Sequence, residues 1–281
     1  KEPAYYSWIC ACTGLKKAQD LQSLFFLAMY FVTGFVLWNW STFFGDLSST
    51  TSSSFLYYVV FFCNVYMSFV GAGITHNTIH TSMFRSSFMN RIIQILLSLT
   101  YGHPVSTYVP GHNLSHHKYT QSNQDIMNTY LVTSKYHALN FLFFQQQVVV
   151  NAVSSDIRYV LFQREMGRFY YVTQVLKEFA VLVGVQIVLV YLNPWKFFMY
   201  FYVPHLFGQW AIVTMNLLQH DGCGEFVRGE KYINFNTARN FTDPLLNFVL
   251  MNNGYHTIHH LVPTSHWSIN PTLHEKLIVG N

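Results

Sequence analysis

Four runs of this chain stay apolar for about 20 residues each, the length a helix needs to cross the hydrocarbon core of a bilayer. They cover 24–44 (LFFLAMYFVTGFVLWNWSTFF), 55–74, 171–192 and 196–218. A surface helix of a soluble domain keeps one polar face, whereas these runs are apolar all round. The whole chain agrees: only 10% of its residues are charged, against about 25% in an ordinary soluble domain. A Ser/Thr-rich link at 45–54 and the turn signal Asn193-Pro194 join the runs in pairs. The expected fold class is all-α integral membrane, with four transmembrane helices in two hairpins and a single domain over 1–281. Two shorter pieces, 92–99 and 138–150, are expected as helices at the interface or in a helical cap.

Two hairpins place the N-terminus, the long 75–170 connection and the C-terminal segment on one side. Of the 16 lysines and arginines, all but Lys196 then fall on that side. Such an excess belongs to the cytoplasmic, stromal or matrix face, with the organelle left open. The net charge of +4 comes without a basic block, so nucleic acid is not expected as a partner. Cys10, Cys12, Cys63 and Cys223 form no disulfide framework, and Cys10-x-Cys12 lacks a second pair to complete a zinc site. The chain opens on Lys1 rather than Met, so it is read as processed or partial and no targeting signal is assigned.

The polar residues that stand out are histidines. His76-x3-His80 leaves the second apolar run, His112-x3-His116-His117 lies in the long connection, His220 ends the fourth run, and His256-x2-His259-His260 lies in the C-terminal segment. All fall on the basic side. On a helix, positions i, i+3 and i+4 share a face, so each segment offers two or three imidazoles to one place. An isolated HxxxH is expected by chance in so histidine-rich a chain; HxxxHH and HxxHH together are not. These are too many ligands for one ion, since a zinc site takes three or four protein ligands. Two ions are expected, and imidazole suits Zn, Cu, Fe and Ni. No carboxylate lies inside a cluster, which excludes the carboxylate-bridged di-iron bundle pattern.

The order HxxxH, HxxxHH, HxxHH, with apolar runs between, resembles the membrane fatty-acid desaturase superfamily, which also contains hydroxylases and ketolases. The stretches FRSSFMNRIIQILLSLTYGHPV, GHNLSHHKYT, LLQHDGC, ARNFT and NNGYHTIHHLVPTSHWS carry the resemblance, over about 75–274. The resemblance implies two irons (zinc as a substitute in a purified sample). His76, His117, His256 and His260 would hold one, with Asn216 reaching it through a water; His80, His112, His116, His220 and His259 would hold the other. It further implies O2-dependent desaturation of the acyl chain of a fatty acid or lipid. Electrons would come from a ferredoxin or b-type cytochrome, because no CxxCH or GxGxxG is present. A lipid or carotenoid hydroxylase or ketolase with the same metals is the first alternative. A non-catalytic subunit of a membrane complex that kept the fold is the second.

Three further expectations concern single residues. A ligating imidazole usually donates its other N–H to a carboxylate or carbonyl; Asp221, beside His220, is the first choice, before Asp125, Asp243 and Glu225. Asn252, Asn253 and Gly254 are expected to allow a tight approach before His256, Gly254 through unusual backbone angles. His103, His137, His205, His266 and His274 are kept out of the ligand set. His205, inside an apolar run, is nevertheless expected to have a function.

Overall fold

The computed structural model describes residues 3–45, 51–131, 138–225, 227, 229 and 233–280, with 51–53 and 233 by backbone alone. His137 and the basic residues Lys1, Lys135, Arg228 and Lys231 lie outside them. Among the described residues the regular structure is helical, joined by turns and irregular links, with one isolated bridge between Leu15 and Phe84. The principal helices are α1 (Ala4–Thr13), α2 (Asp20–Trp38), α3 (Thr51–His80), α4 (Ser87–Tyr101), α5 (Leu139–Glu165), α6 (Phe169–Leu192), α7 (Val203–His220) and α8 (His256–Leu261). The four cysteines are free.

Among the described residues, three helices are long and apolar enough to cross a membrane: α2, α3 over Ser54–His80, and α6. The fourth expected run, 196–218, is not one uniform apolar helix. Pro194–Phe197 is α-helical, Phe198–Tyr202 is a π-turn, and α7 follows. Buried His205, Asn216, Gln219 and His220 lower the apolar character of α7. The first run also breaks, at Asn39, before a short helix Trp40–Phe44. The piece expected at 138–150 is the start of the much longer α5.

The backbone falls into two compact units, each assembled from separate stretches. One takes the chain up to Ala72, Phe84–Pro104 and Lys177–Gln209; the other takes Gly73–Met83, Val105–Leu176 and the chain from Trp210 onward.

The first unit packs apolar helices through small residues and polar ties. Leu37, Trp40 and Tyr200 form a buried cluster. Without water, helices associate through close packing and interhelical hydrogen bonds. Thr33 donates to Asn64 Oδ1 at 2.9 Å, Asn64 Nδ2 donates to the Tyr200 carbonyl at 2.9 Å, and Ser68 donates to the Thr100 carbonyl at 2.7 Å. A Cβ at Gly208 would stand 2.6 Å from Ser68 Oγ, so α3 and α7 approach there only because the residue is glycine. His205 Nε2 donates to the Leu99 carbonyl at 2.8 Å and lies 3.0 Å from Tyr30 Oη. The function expected of His205 is therefore an interhelical tie. Gly102 is required twice over: it ends α4 at φ 74°, and a Cβ there would stand 2.6 Å from His205 Cγ. On α6, Phe179, Ile187, Val188 and Tyr191 are exposed, as expected of a helix whose surroundings are apolar.

Candidate metal centre

The second unit holds every residue singled out as a ligand. His76 and His80 occupy the last turns of α3, His220 ends α7, and His256, His259 and His260 lie on the short α8. Around His112 the helix widens: His112–His116 is a π-turn, and His117 begins the following α-turn. Side-chain amides tie these segments together. Asn77 Nδ2 donates to the Met251 carbonyl at 3.2 Å, Asn113 Nδ2 to that of Ile79 at 3.2 Å, and Gln219 Nε2 to that of Asn253 at 3.0 Å.

The nine imidazoles form two groups, each with its ligand nitrogens within 4.8 Å of one another: His76, His80, His112, His117 and His259; and His116, His220, His256 and His260. This grouping differs from the partition that the resemblance implied. The pairs His76/His117 and His116/His220 change places. The π-turn is one physical reason. Its i to i+5 closure turns His117 toward His112, with their Nε2 atoms 3.0 Å apart, and sends His116 to the other group. On α8, ordinary α geometry keeps His256 with His260, at i and i+4, and directs His259 to the first group.

The nitrogens fit a cation. In the four-histidine group, His116 Nδ1 is hydrogen-bonded to Asp125 Oδ2 at 2.9 Å, and His220 Nδ1 to the Thr237 carbonyl at 2.7 Å. Each acceptor lacks a proton to give, so each ring spends its single neutral-state N–H there. The Nε2 lone pairs of His116 and His220 then face each other at 3.2 Å, and His256 Nε2 stands 2.9 Å from that of His220. Lone pairs so placed repel unless a cation lies between them. Two nitrogens about 2.0–2.1 Å from a tetrahedral ion are themselves about 3.3 Å apart, close to what is seen. In the five-histidine group, His117 Nε2 lies 3.0 Å from His112 Nε2 and 2.9 Å from His259 Nε2, while Nδ1 of His76, His112 and His117 is buried without a partner.

Rings in both groups are also kept neutral, the ligating form. Burial first, and then repulsion from neighbouring imidazoles, holds His112, His117, His256, His259 and His260 well below the ordinary histidine range. Burial, with His116 beside it, pushes His220 down to about 3. Burial works to raise the Asp125 carboxyl, but His116 and the backbone N–H groups of Gln121 and Met127 outweigh it and hold the acid below its usual range.

The carboxylate behind the ligands is Asp125, not the expected Asp221. His220 turns its Nδ1 to the Thr237 carbonyl instead. Asp243 caps the helix Pro244–Val249 by accepting from Leu246 N at 2.8 Å, and Glu225 is exposed. Thr120, whose hydroxyl lies 3.3 Å from His260 Nδ1, and Thr237 were not foreseen. No spacing rule reports a partner that arrives from a distant backbone carbonyl. Asn216 is buried, and its Nδ2 donates to the Met127 carbonyl at 3.0 Å.

The turn before α8 is tight, for a different reason than expected. Met251 and Asn252 take positive φ, at 44° and 57°, while Gly254 does not. Gly254 is needed for close approach: a Cβ there would meet the Phe241 carbonyl and stand 2.6 Å from Asn247 Oδ1. Among the described residues, His103, His205, His266 and His274 join neither group. His266 Nδ1 instead accepts from Ser268 N at 3.3 Å, capping the turn Trp267–Ile269.

A family model described as Fatty acid desaturase matches residues 53–278, a span that includes all nine grouped histidines. A comparison with curated proteins found no match.

Proposed function

Because this chain belongs to the fatty acid desaturase family, we propose that it is a membrane oxidoreductase that uses two irons and O2 to desaturate the acyl chain of a fatty acid or lipid. The observation that carries the reading is the facing Nε2 atoms of His116 and His220, whose Nδ1 sides are turned away to Asp125 and the Thr237 carbonyl, with His256 Nε2 beside them. His76, His80, His112, His117 and His259 would hold one iron, and His116, His220, His256 and His260 the other. Asn216, whose amide nitrogen is committed to Met127, would present its oxygen to a metal-bound water. When bound, the irons supply the oxygen-activating and hydrogen-removing chemistry.

The chain's own residues supply the setting. Neutral imidazoles meet the ions without a proton to lose, and Asp125 orients His116 and makes it a stronger ligand. Burial of His116 and His220 keeps bulk water away. Electrons come from a ferredoxin or b-type cytochrome, to which a basic face is complementary. Four spans, with the histidines on the cytoplasmic, stromal or matrix side of one domain, remain the proposed arrangement.

The test is metal content by plasma mass spectrometry on gently purified, natively sourced protein, followed by product analysis with acyl lipids. Two irons per chain and a product short of two hydrogens support the reading. A product that gains an oxygen atom makes the enzyme a hydroxylase. Folded native protein without metal would falsify the metal reading and favour a structural subunit.

A further inference from the structure

Between the HxxxHH segment and α5 lies one residue that touches supports of two ligands at once. Gln121 is 1% exposed and has φ 64°, in the left-handed region that glutamine rarely enters. Its backbone N–H and both ends of its side-chain amide are engaged. Its backbone N–H donates at 3.0 Å to Asp125 Oδ2, the oxygen that also binds His116 Nδ1. Its Oε1 accepts from Thr129 N at 2.9 Å, and its Nε2 donates to Thr129 Oγ1 at 2.7 Å and to the His220 carbonyl at 2.8 Å. The amide orientation is unambiguous, since one end meets an N–H and the other a carbonyl.

His116 and His220 are far apart in the chain, yet their Nε2 atoms stand 3.2 Å apart in one group. Gln121 is the shared strut behind both: its main chain fixes the carboxylate on His116, and its side chain fixes the main chain of His220. We propose that Gln121 is a positioning residue for the four-histidine group, setting the separation of His116 and His220 and so the hold of that group on its ion. The role rests on the metal-centre reading above. A glutamine that merely braced the loop would need the contacts to Thr129 and Asp125 alone, both within 121–129. The arm to the His220 carbonyl reaches a distant segment and adds nothing to the loop itself.

Two substitutions separate the role from general stability. Gln121→Met keeps the bulk and removes the amide. Gln121→Gly removes the arm to His220 together with the contacts to Thr129, but keeps the backbone N–H on Asp125 and relieves the left-handed φ. The full chain, purified in lipid nanodiscs, is challenged with graded chelator, and retained iron and zinc per chain are read by plasma mass spectrometry. Wild type is expected to hold two ions. Both variants should release one of them at roughly tenfold lower chelator, as other outer partners of metal ligands do, and keep the other as wild type does. Release in step with wild type, or equal weakening of both ions, overturns the positioning role alone. A folded wild type that holds no ion overturns the metal-centre reading and this role with it.

Discussion

Asp125 shows how one carboxylate can serve a ligand it never shares. It accepts from His116 Nδ1 and from the backbone N–H groups of Gln121 and Met127, so the ring keeps one tautomer and one direction. Asp125→Asn keeps the shape and weakens that hold. Metal affinity of the four-histidine group should fall by about 10–100-fold, measured by chelator competition, with the other ion unaffected. Gly254 makes a steric prediction. A methyl group at 254 has nowhere to go between Phe241 and Asn247, so Gly254→Ala should destabilise the fold by about 1–3 kcal/mol. A thermal unfolding midpoint equal to wild type would show that the turn before α8 can yield.

At the level of elements, the two groups are sorted by helix type. The α-turn of α8 separates neighbours His259 and His260, while the π-turn at His112–His116 brings His112 and His117 together. Substituting either neighbour should therefore affect a different ion. His259→Ala and His260→Ala should each leave one ion firmly held and loosen the other. The double variant should hold neither against a chelator that wild type resists. If the double variant loses no more metal than one single variant, the two residues share an ion and the grouping is wrong. In the first unit, α3, α4 and α7 approach through glycine and hydroxyl contacts. Gly102→Ala should unsettle the His205 tie and lower thermal stability in membranes, both through the positive φ and through contact with the ring.

For the molecule as a whole, burying so many neutral imidazoles links stability to pH. Their folded values lie below the ordinary histidine value of 6.5. Below that value the unfolded chain takes up protons that the folded chain refuses. Stability is thus intact above 6.5 and is lost as pH falls from there toward about 3, the value reached by His220. Bound metal should deepen this loss, because protons compete with it for the same nitrogens. Unfolding midpoints of the membrane-embedded chain, measured from neutral pH downward with and without chelator, test both statements. Each pH unit by which a ring titrates below the ordinary value is worth about 1.4 kcal/mol, so a flat profile through pH 6 to 4 would contradict the buried neutral rings.

Composition and spacing were sufficient for the helical class, for three apolar helices long enough to span, and for picking out nine histidines that the fold gathers into two groups, because lipid-length runs and repeated imidazole spacings are local properties of the chain. The family likeness was legible in the same residues. Spacing did not reveal which histidine joins which group. His116 and His117 are neighbours in sequence, and the π-turn that carries them decides which of the two joins His112. Nor could it choose Asp125 over Asp221, since adjacency to His220 says nothing about where that ring's Nδ1 points. The Thr237 carbonyl and the Gln121 strut reach the ligands from elsewhere in the chain. Ligand type is written in one dimension; ligand direction depends on hydrogen bonds between distant segments, and those exist only once the chain has folded.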